Sequence, residues 1–281
     1  MTEDQGEAVA ARVRGVLSAR LSSAKVWWGV SLTVQILASA GAALSALFAS
    51  LPPWWPVILA LASIGALLGR WRADHLRQLG EPLLRQVEFL EGFGWPLNPK
   101  LAADALARAI AVEKVAAARA KEQGNFYASN SVRGPLRALE NLSESAWWTQ
   151  QNAHWLAVRA TWLVVVLCAA GIWSLVISAS AMGTATPVTI SKLLSAGVAL
   201  VFAGNLVRLP FEYFRLSANG SEADQKASEL IDRGTPSVAD ALRVLGNYQL
   251  ARAMAPPLPD WLWKKRRDHL NKIWRDTRSV T

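Results

Sequence analysis

The chain alternates long apolar segments with charged ones. Residues 26–69 contain no Asp, Glu, Lys or Arg, and neither do residues 160–191 and 193–207. Because a helix of about 20 apolar residues crosses a bilayer, the first segment is long enough for two spans, and the other two segments form a second pair. The pattern predicts two transmembrane helical hairpins, 26–69 and 160–207, and therefore four spans.

Turn-forming residues divide each hairpin into two helices. Pro52, Pro53 and Pro56 predict the turn of the first hairpin, near residues 50–55. In the second hairpin Gly183 and Pro187 mark the turn between spans three and four.

The remaining segments carry the charged residues and repeat apolar residues at three- and four-residue spacing. This spacing predicts an amphipathic helix over 1–25, a helical connector over 70–159 and a helical region over 208–281. Arg208 and Pro210 are expected to close the fourth span. The predicted fold class is an all-α membrane protein with two transmembrane hairpins, a cytoplasmic helical connector and a cytoplasmic C-terminal helical region.

Turn formers separate three helices within the connector. Gly92 and Gly94 are expected to end the first helix, Leu101–Gln123 to form the second, and Pro135 to begin the third after a loop. The third helix leads to the second hairpin. Its apolar face consists of Leu136, Leu139, Leu142 and Ala146.

The basic residues are distributed on one predicted side of the membrane. The chain has 30 Lys and Arg residues and a formal net charge of +9, and only Lys192 lies between the third and fourth spans. Since basic residues collect in loops that stay in the cytoplasm, both termini and the connector are expected there. This distribution explains the high net charge without a nucleic-acid polymer as partner.

No pattern of an enzyme active site is present in the sequence. There is no phosphate-binding Gly-Lys-Ser/Thr loop and no His-Glu-x-x-His motif, and His75, His154 and His269 are far apart. Cys168 is the single cysteine and lies in an apolar run, where it is expected to be a core residue. The sequence predicts no catalytic residue, no metal site and no cofactor.

Polar residues of the spans fit either a pore lining or a helix contact. In the first span small and polar side chains recur every three or four residues, and Gln35 needs a partner or water because an amide in hydrocarbon is unfavourable. Close packing of helices through small residues is the alternative. The pore-lining candidates are Ser31, Gln35, Ser39, Ser45, Ser174, Ser178 and Asn205.

Two stretches of the chain resemble the SMODS-associated four-transmembrane effector family. The first is NFYAS, RGP and LENLSESAWWT within residues 125–149, and the second is APPLPDWLWK with LNKIW within residues 255–274. Members are bacterial proteins regarded as pore-forming, and they are encoded beside cyclic-oligonucleotide synthases of anti-phage systems. The resemblance implies an inner-membrane effector that a cyclic oligonucleotide activates, directly or through a partner, and that causes abortive infection.

The first stretch also supplies candidates for signal sensing or gating. Tyr127 offers an aromatic face, and Arg133 and Arg137 offer planar donors suited to phosphate, so a nucleotide or an acidic segment of a partner could bind there. In that interpretation Glu140 and Glu144 pair with Arg or Lys of a neighbouring helix or protomer. Alternatively the arginines only set topology, and both glutamates are solvated. The candidates are Phe126, Tyr127, Ser129, Arg133, Arg137, Glu140, Glu144, Ser145, Trp147 and Trp148.

The C-terminal region ends in a basic helix that is rich in tryptophan. Such helices bind anionic lipid at about 1 kcal/mol per basic residue, and the predicted membrane nearby favours a lipid surface over stacking with nucleic acid. Packing against the other helices is the alternative. The membrane-surface candidates are Trp261, Trp263, Lys264, Lys265, Arg266, Arg267 and Trp274.

Two functions from different classes follow from the sequence. The first is a pore-forming or membrane-disrupting effector, which is expected to be a homo-oligomer in the lipid bilayer because one four-helix protomer has a packed interior. The second is a membrane-anchored sensor or structural protein without a conducting state.

Overall fold

The structure of the protein is a computed structural model that describes residues 3–44, 52, 54–119, 127, 129–180 and 187–278. Within these ranges the side chains of residues 3–5, 44, 119, 174–175, 178–180, 187–205 and 278 are not described. The described residues form helices and turns without a β-strand, which confirms the all-α character of the predicted fold. Their helices are α1 (Glu3–Leu44), α2 (Trp55–Phe93), α3 (Pro99–Ala107), α4 (Ala111–Arg119), α5 (Pro135–Ser180), α6 (Pro187–Asp232), α7 (Val238–Met254) and α8 (Asp260–Arg278).

The chain divides into two compact units. The charged unit is formed from Met1–Lys25, Asp74–Ala153 and Arg215–Thr281, and the apolar unit from Val26–Ala73 and His154–Phe214. The long helices α1, α2, α5 and α6 each contribute residues to both units, whereas α3, α4, α7 and α8 belong to the charged unit. The boundaries predicted between spans and polar segments therefore do not coincide with helix ends.

Among the described residues, three helices are long and apolar enough to cross a membrane. Their stretches are Gly6–Ala43, Trp55–Phe93 and Pro135–Trp173, and only 22% to 33% of each apolar window is buried. The exposed side chains include Leu61 and Trp162, which are 62% and 67% exposed. Because water disfavours so much exposed apolar surface, these helices indicate a membrane protein.

The fourth predicted span, residues 193–207, lies on α6, where most side chains are not described, and it stays a prediction. The two turns predicted between the spans also fall mainly outside the described residues.

Serine and glycine allow α1 and α2 to approach closely within the apolar unit. The Ser31 hydroxyl donates a hydrogen bond to the Ala66 carbonyl at 2.6 Å. A Cβ atom added at Gly69 would lie 3.4 Å from the Cβ of Ser31. These contacts are typical of membrane helices that pack through small residues.

One predicted helix of the connector is divided in the structure. The sequence predicts one helix over Leu101–Gln123, but the structure has a break between α3 and α4, and its description of α4 ends at Arg119. The break is stabilised because the Glu113 carboxylate accepts a hydrogen bond from the Ile110 amide at 3.2 Å and so caps α4. α6 continues through Pro210 to Asp232, so the helix extends beyond the predicted end of the fourth span at Arg208 and Pro210.

A buried ion pair holds α4 in the charged unit. Arg20 donates to both carboxylate oxygens of Glu113 at 3.0 Å, and it donates to the Leu79 carbonyl at 3.3 Å. Its side chain and that of Glu113 are 7% and 5% exposed. Nearby, a Cβ atom added at Gly15 would lie 2.5 Å from the Ala116 carbonyl oxygen, so α1 and α4 are in close contact.

We expect Glu113→Gln to destabilise the charged unit because it leaves the Arg20 guanidinium buried without a counter-ion. Removing one partner of a buried pair costs about 3–5 kcal/mol, so the midpoint of thermal unfolding in detergent should fall by several degrees. Tryptophan fluorescence measures this midpoint. The control is Glu222→Gln, which removes an exposed pair with Lys226 and should leave the midpoint unchanged. Equal shifts in both variants would contradict the assignment.

Candidate functional site

The beginning of α5 lies in the core of the charged unit. Leu139, Leu142 and Ala146 are at most 2% exposed and belong to one cluster with Leu245 and Tyr248 of α7. This confirms the apolar face predicted for these three residues of α5.

The entry of the chain into this core also follows the sequence prediction. As expected, α5 begins at Pro135, and α2 ends at Phe93. Gly94 follows with a φ of +77°, a conformation that favours glycine. The Gly134 amide then donates to the Gly92 carbonyl at 2.8 Å, which fixes the start of α5 beside the end of α2.

A second buried ion pair connects α2 to α7 beside this core. The Glu88 carboxylate accepts hydrogen bonds from both terminal nitrogens of Arg252, at 2.6 and 3.2 Å, and from the Gln249 amide at 2.7 Å. Burial by itself lowers the pKa of Arg252. The charge and hydrogen bonds of Glu88, together with Tyr248 and Glu81, outweigh burial, and the pKa is raised. The charge of Glu88 is therefore neutralised inside the protein.

The ring of Tyr248 is fixed next to this pair. Its hydroxyl lies 2.7 Å from the Thr149 hydroxyl and 3.2 Å from the Ser145 hydroxyl. The guanidinium carbon of Arg252 lies 5.4 Å from the centre of the Tyr248 ring. Contacts at both ends of the side chain therefore hold the ring in one position.

A small polar cavity lies between α2, α5 and α7. Its volume is about 10 Å³, enough for roughly one water molecule. Of its described lining residues, Tyr127 alone comes from outside the helices. Burial and the nearby charge of Glu88 raise the pKa of Tyr127, so its hydroxyl stays protonated at neutral pH. The lining residues are Glu88, Tyr127, Ala138, Asn141, Leu142, Ser145, Leu245 and Tyr248.

The side-chain amide of Asn141 faces this cavity without a hydrogen-bond partner. Asn141 is 5% exposed, and neither its oxygen nor its nitrogen is bonded to any residue that the structure describes. An unsatisfied buried group of this kind costs about 1–3 kcal/mol, and native proteins contain few of them. A water molecule or a ligand at the cavity would satisfy the donor and the acceptor, so Asn141 marks a candidate binding site.

The segment that follows Tyr127 is tied to the first turns of α5. Ser129 and Ser131 donate hydrogen bonds to the two carboxylate oxygens of Glu140, at 2.5 and 2.9 Å, and Arg137 donates to the Ser131 carbonyl at 3.0 Å. We call residues 129–131 the strap. Glu140 is thus bonded to serine hydroxyls, where the sequence analysis considered a basic residue or water.

The other sensing candidates lie at different depths. Arg133 is exposed and packs closely against Gly94, whereas Ser145 lines the cavity. Glu144 is half-buried, and its charge contributes to the raised pKa of Tyr127. Phe126 lies outside the described residues.

Tryptophan contacts join α8 to α5 in the charged unit. Trp263 packs against Trp148 with 4.4 Å between ring centres, and Trp274 packs against Trp147 at 5.1 Å. Arg266 donates a hydrogen bond to a backbone carbonyl of α5 at 2.6 Å. These three residues of α8 therefore have protein partners, in agreement with the packing alternative.

The remaining membrane-surface candidates are on the outside of α8. Trp261, Lys264, Lys265 and Arg267 are all exposed. Trp263 is also exposed although it packs against Trp148, and the interaction of α8 with anionic lipid stays a prediction.

The structure describes three of the seven pore-lining candidates. Ser31 and Ser39 are each 1% exposed, and Gln35 is half-buried. The hydrogen bond from Ser31 to Ala66 agrees with the helix-packing alternative at that position. Ser45 lies outside the described residues, as do the side chains of Ser174, Ser178 and Asn205.

A larger cavity of about 420 Å³ lies between α1, α3 and α4. Val16 and Leu106 give it an apolar lining, and Arg12 and Lys114 add positive charge. Its volume is typical of small-molecule pockets. None of its described lining residues, however, has an unsatisfied buried polar atom, so the cavity at Asn141 is the better candidate for a specific ligand.

Four residues at or beside the cavity are not predicted from the sequence. They are Glu88, Asn141, Tyr248 and Arg252. Asn141 and Ser145 are four residues apart and lie next to the apolar face of α5, and this polar interruption is a signal that could have indicated them. No comparable signal exists for the pairing of Glu88 with Arg252, which are 164 positions apart.

The described residues form an all-helical protein with three helices long and apolar enough to cross a membrane and a small cavity in its charged unit. No known protein family matches the chain, and no curated protein or solved structure matches it significantly. Within the described ranges, no three His, Cys, Asp or Glu side chains are grouped so that they could hold a metal ion.

We expect Asn141→Leu to leave the stability of the protein unchanged or to raise it. Leucine has a similar size and removes an unsatisfied amide from the interior. The matched control is Ser143→Ala, also on α5, which removes a buried hydrogen bond to Asp224 of 2.6 Å and should cost about 1–3 kcal/mol. Thermal unfolding of the purified variants measures both effects. A loss for Asn141→Leu as large as that of the control would show that the amide has a structural role.

Proposed function

We propose that the protein is a pore-forming or membrane-disrupting effector of a bacterial anti-phage defence system. A cyclic oligonucleotide, bound directly or through a partner protein, activates it in the inner membrane, and the loss of membrane integrity causes abortive infection. The resemblance within residues 125–149 and 255–274 supports this class. The exposed apolar surface of the three candidate spans supports the membrane location.

The observation that carries the proposal is that α5 contains both a cavity wall and an apolar stretch. Asn141 and Ser145 line the cavity near the start of the helix. The same continuous helix extends to Ser180, and Pro135–Trp173 is long and apolar enough to cross a membrane. A ligand at the cavity therefore contacts a helix that also supplies a candidate span.

Oligomerisation is part of the proposal because the described interior of the apolar unit is packed. Val164, Leu167 and Leu206 form a buried cluster with partly buried neighbours that include Leu32 and Ile36. Such a cluster leaves no path for water among these residues. Conduction therefore requires several protomers that together line a lumen.

A membrane-anchored sensor or structural protein is the second candidate. The hydrogen bond from Ser31 to Ala66 and the close contact at Gly69 favour it, because they fit helices that remain packed. Measurement of membrane permeability separates the two functions.

The proposed topology predicts that both long polar segments lie in the cytoplasm. A reporter fused after Thr281 and a second reporter inserted at Gly124 should both give cytoplasmic signals, since basic residues flank all four predicted spans on that side. A periplasmic signal from either fusion would exclude the arrangement of four spans.

We expect a panel of cyclic di- and trinucleotides to trigger dye release from vesicles that contain the protein. If Gln35 contacts water in the pore, Gln35→Leu removes a polar contact worth ~1–2 kcal/mol, and the rate should fall about 5- to 30-fold. Leu37→Ala changes an exposed apolar position of the same helix and is the control. All proteins are compared at equal amounts in the vesicles. Absence of release from the unaltered protein with every nucleotide would exclude direct activation by these nucleotides.

A further inference from the structure

We infer that the cavity at Asn141 is a site for a planar nitrogen heterocycle of the nucleobase type, and that Tyr127 occupies this site in the absence of the ligand. The inference rests on the proposed function for the view that the signal is a nucleotide. It adds the residues that would contact the base and the residue that the base would displace.

The unsatisfied amide of Asn141 defines the chemistry of the ligand. One donor group and one acceptor are side by side, 95% removed from solvent, and neither has a partner in the described part of the chain. An asparagine amide forms paired hydrogen bonds with the edge of a base such as adenine. A ligand that carries an adjacent donor and acceptor on a flat ring would satisfy both atoms at once.

The shape of the site requires that Tyr127 moves. The cavity of about 10 Å³ is far too small for a base, so a base can enter only where a side chain leaves. The phenol ring of Tyr127 is a flat six-membered ring with one polar substituent, close in size to a pyrimidine. Tyr248 remains as an aromatic wall, held by its bonds to α5, and proteins commonly combine aromatic contacts with hydrogen bonds to the edge of a base.

The charges around the site suit the phosphate of a nucleotide. Arg252 neutralises Glu88, so the floor of the cavity does not repel an anion. One terminal nitrogen of Arg137 donates a hydrogen bond to the Ser131 carbonyl of the strap. The Nε atom of Arg137 is buried without a partner among the described residues. Arg133 is exposed nearby, whereas Glu140 carries the opposing negative charge and is bonded to the strap.

The test measures nucleotide binding to the full chain in detergent by calorimetry. The probes are AMP, GMP, CMP and UMP, with ribose 5-phosphate as the probe that lacks a base. Tyr127→Ala empties the site, so at least one nucleotide should bind it about tenfold or more tightly than the unaltered protein, because self-occupancy reduces apparent affinity. Tyr127→Phe keeps a ring in place and should behave like the unaltered protein.

A second variant tests whether the Asn141 amide forms the hydrogen bonds to the base. Asn141→Leu in the Tyr127→Ala background should lose the gain in affinity while thermal unfolding shows that it is folded. Ribose 5-phosphate should gain nothing from Tyr127→Ala. The inference is overturned if no nucleotide gains affinity, if ribose 5-phosphate gains as much as the nucleotides, or if Asn141→Leu binds as well as its parent.

Dye release from vesicles separates this inference from the proposed function. If the Tyr127→Ala protein binds a nucleotide but releases no dye with any cyclic oligonucleotide, the base site stands and the proposed pore is excluded. A protein that releases dye but gains no nucleotide affinity would retain the pore and exclude the base site.

Discussion

The buried ion pair between Glu88 and Arg252 is the interaction on which the charged unit most depends. It joins α2 to α7 through two hydrogen bonds and places a guanidinium beside the ring of Tyr248. If Arg252 were absent, Glu88 would be a buried charge without compensation, at a cost of about 3–5 kcal/mol, and the cavity wall would be negative. The pair therefore supports the fold and sets the electrostatic character of the cavity.

A second set of contacts also joins α2 to α7. Arg77 donates hydrogen bonds to the carbonyls of Arg252 and Ala255, which are at the C-terminal end of α7. The last carbonyls of a helix lack partners within the helix and attract positive charge. Arg77 and Glu88 are about three helical turns apart, so one face of α2 fixes both the side chains and the terminus of α7. Both sets of contacts therefore hold α7, one wall of the cavity, against α2.

Local patterns in the sequence predict the helices but not their partners. Leu139 and Leu142 are recognised as core residues because a period of three and four residues defines one face of α5. Gly94 is recognised as a helix stop because glycine forms turns, and its φ of +77° agrees. The partner of Glu88 is not predictable, since many arginines are available and the contact depends on the packing of α2 against α7.

For the tryptophans of α8, the sequence predicts a shared face but not what that face contacts. Trp263 and Trp274 are about three turns apart and therefore share a face, which the pattern indicates. An aromatic face can contact lipid or protein equally well. Only the structure shows that this one meets Trp147 and Trp148.

The bonds of the strap have a consequence for how the cavity responds to its surroundings. Glu140 accepts from the uncharged hydroxyls of Ser129 and Ser131, so the contact that keeps Tyr127 near α5 is not an attraction between opposite ions. Ion pairs at a surface weaken as salt rises because mobile ions screen them, whereas hydroxyl–carboxylate bonds are much less affected. The bonds of the strap to α5 are therefore expected to persist over a wide range of ionic strength.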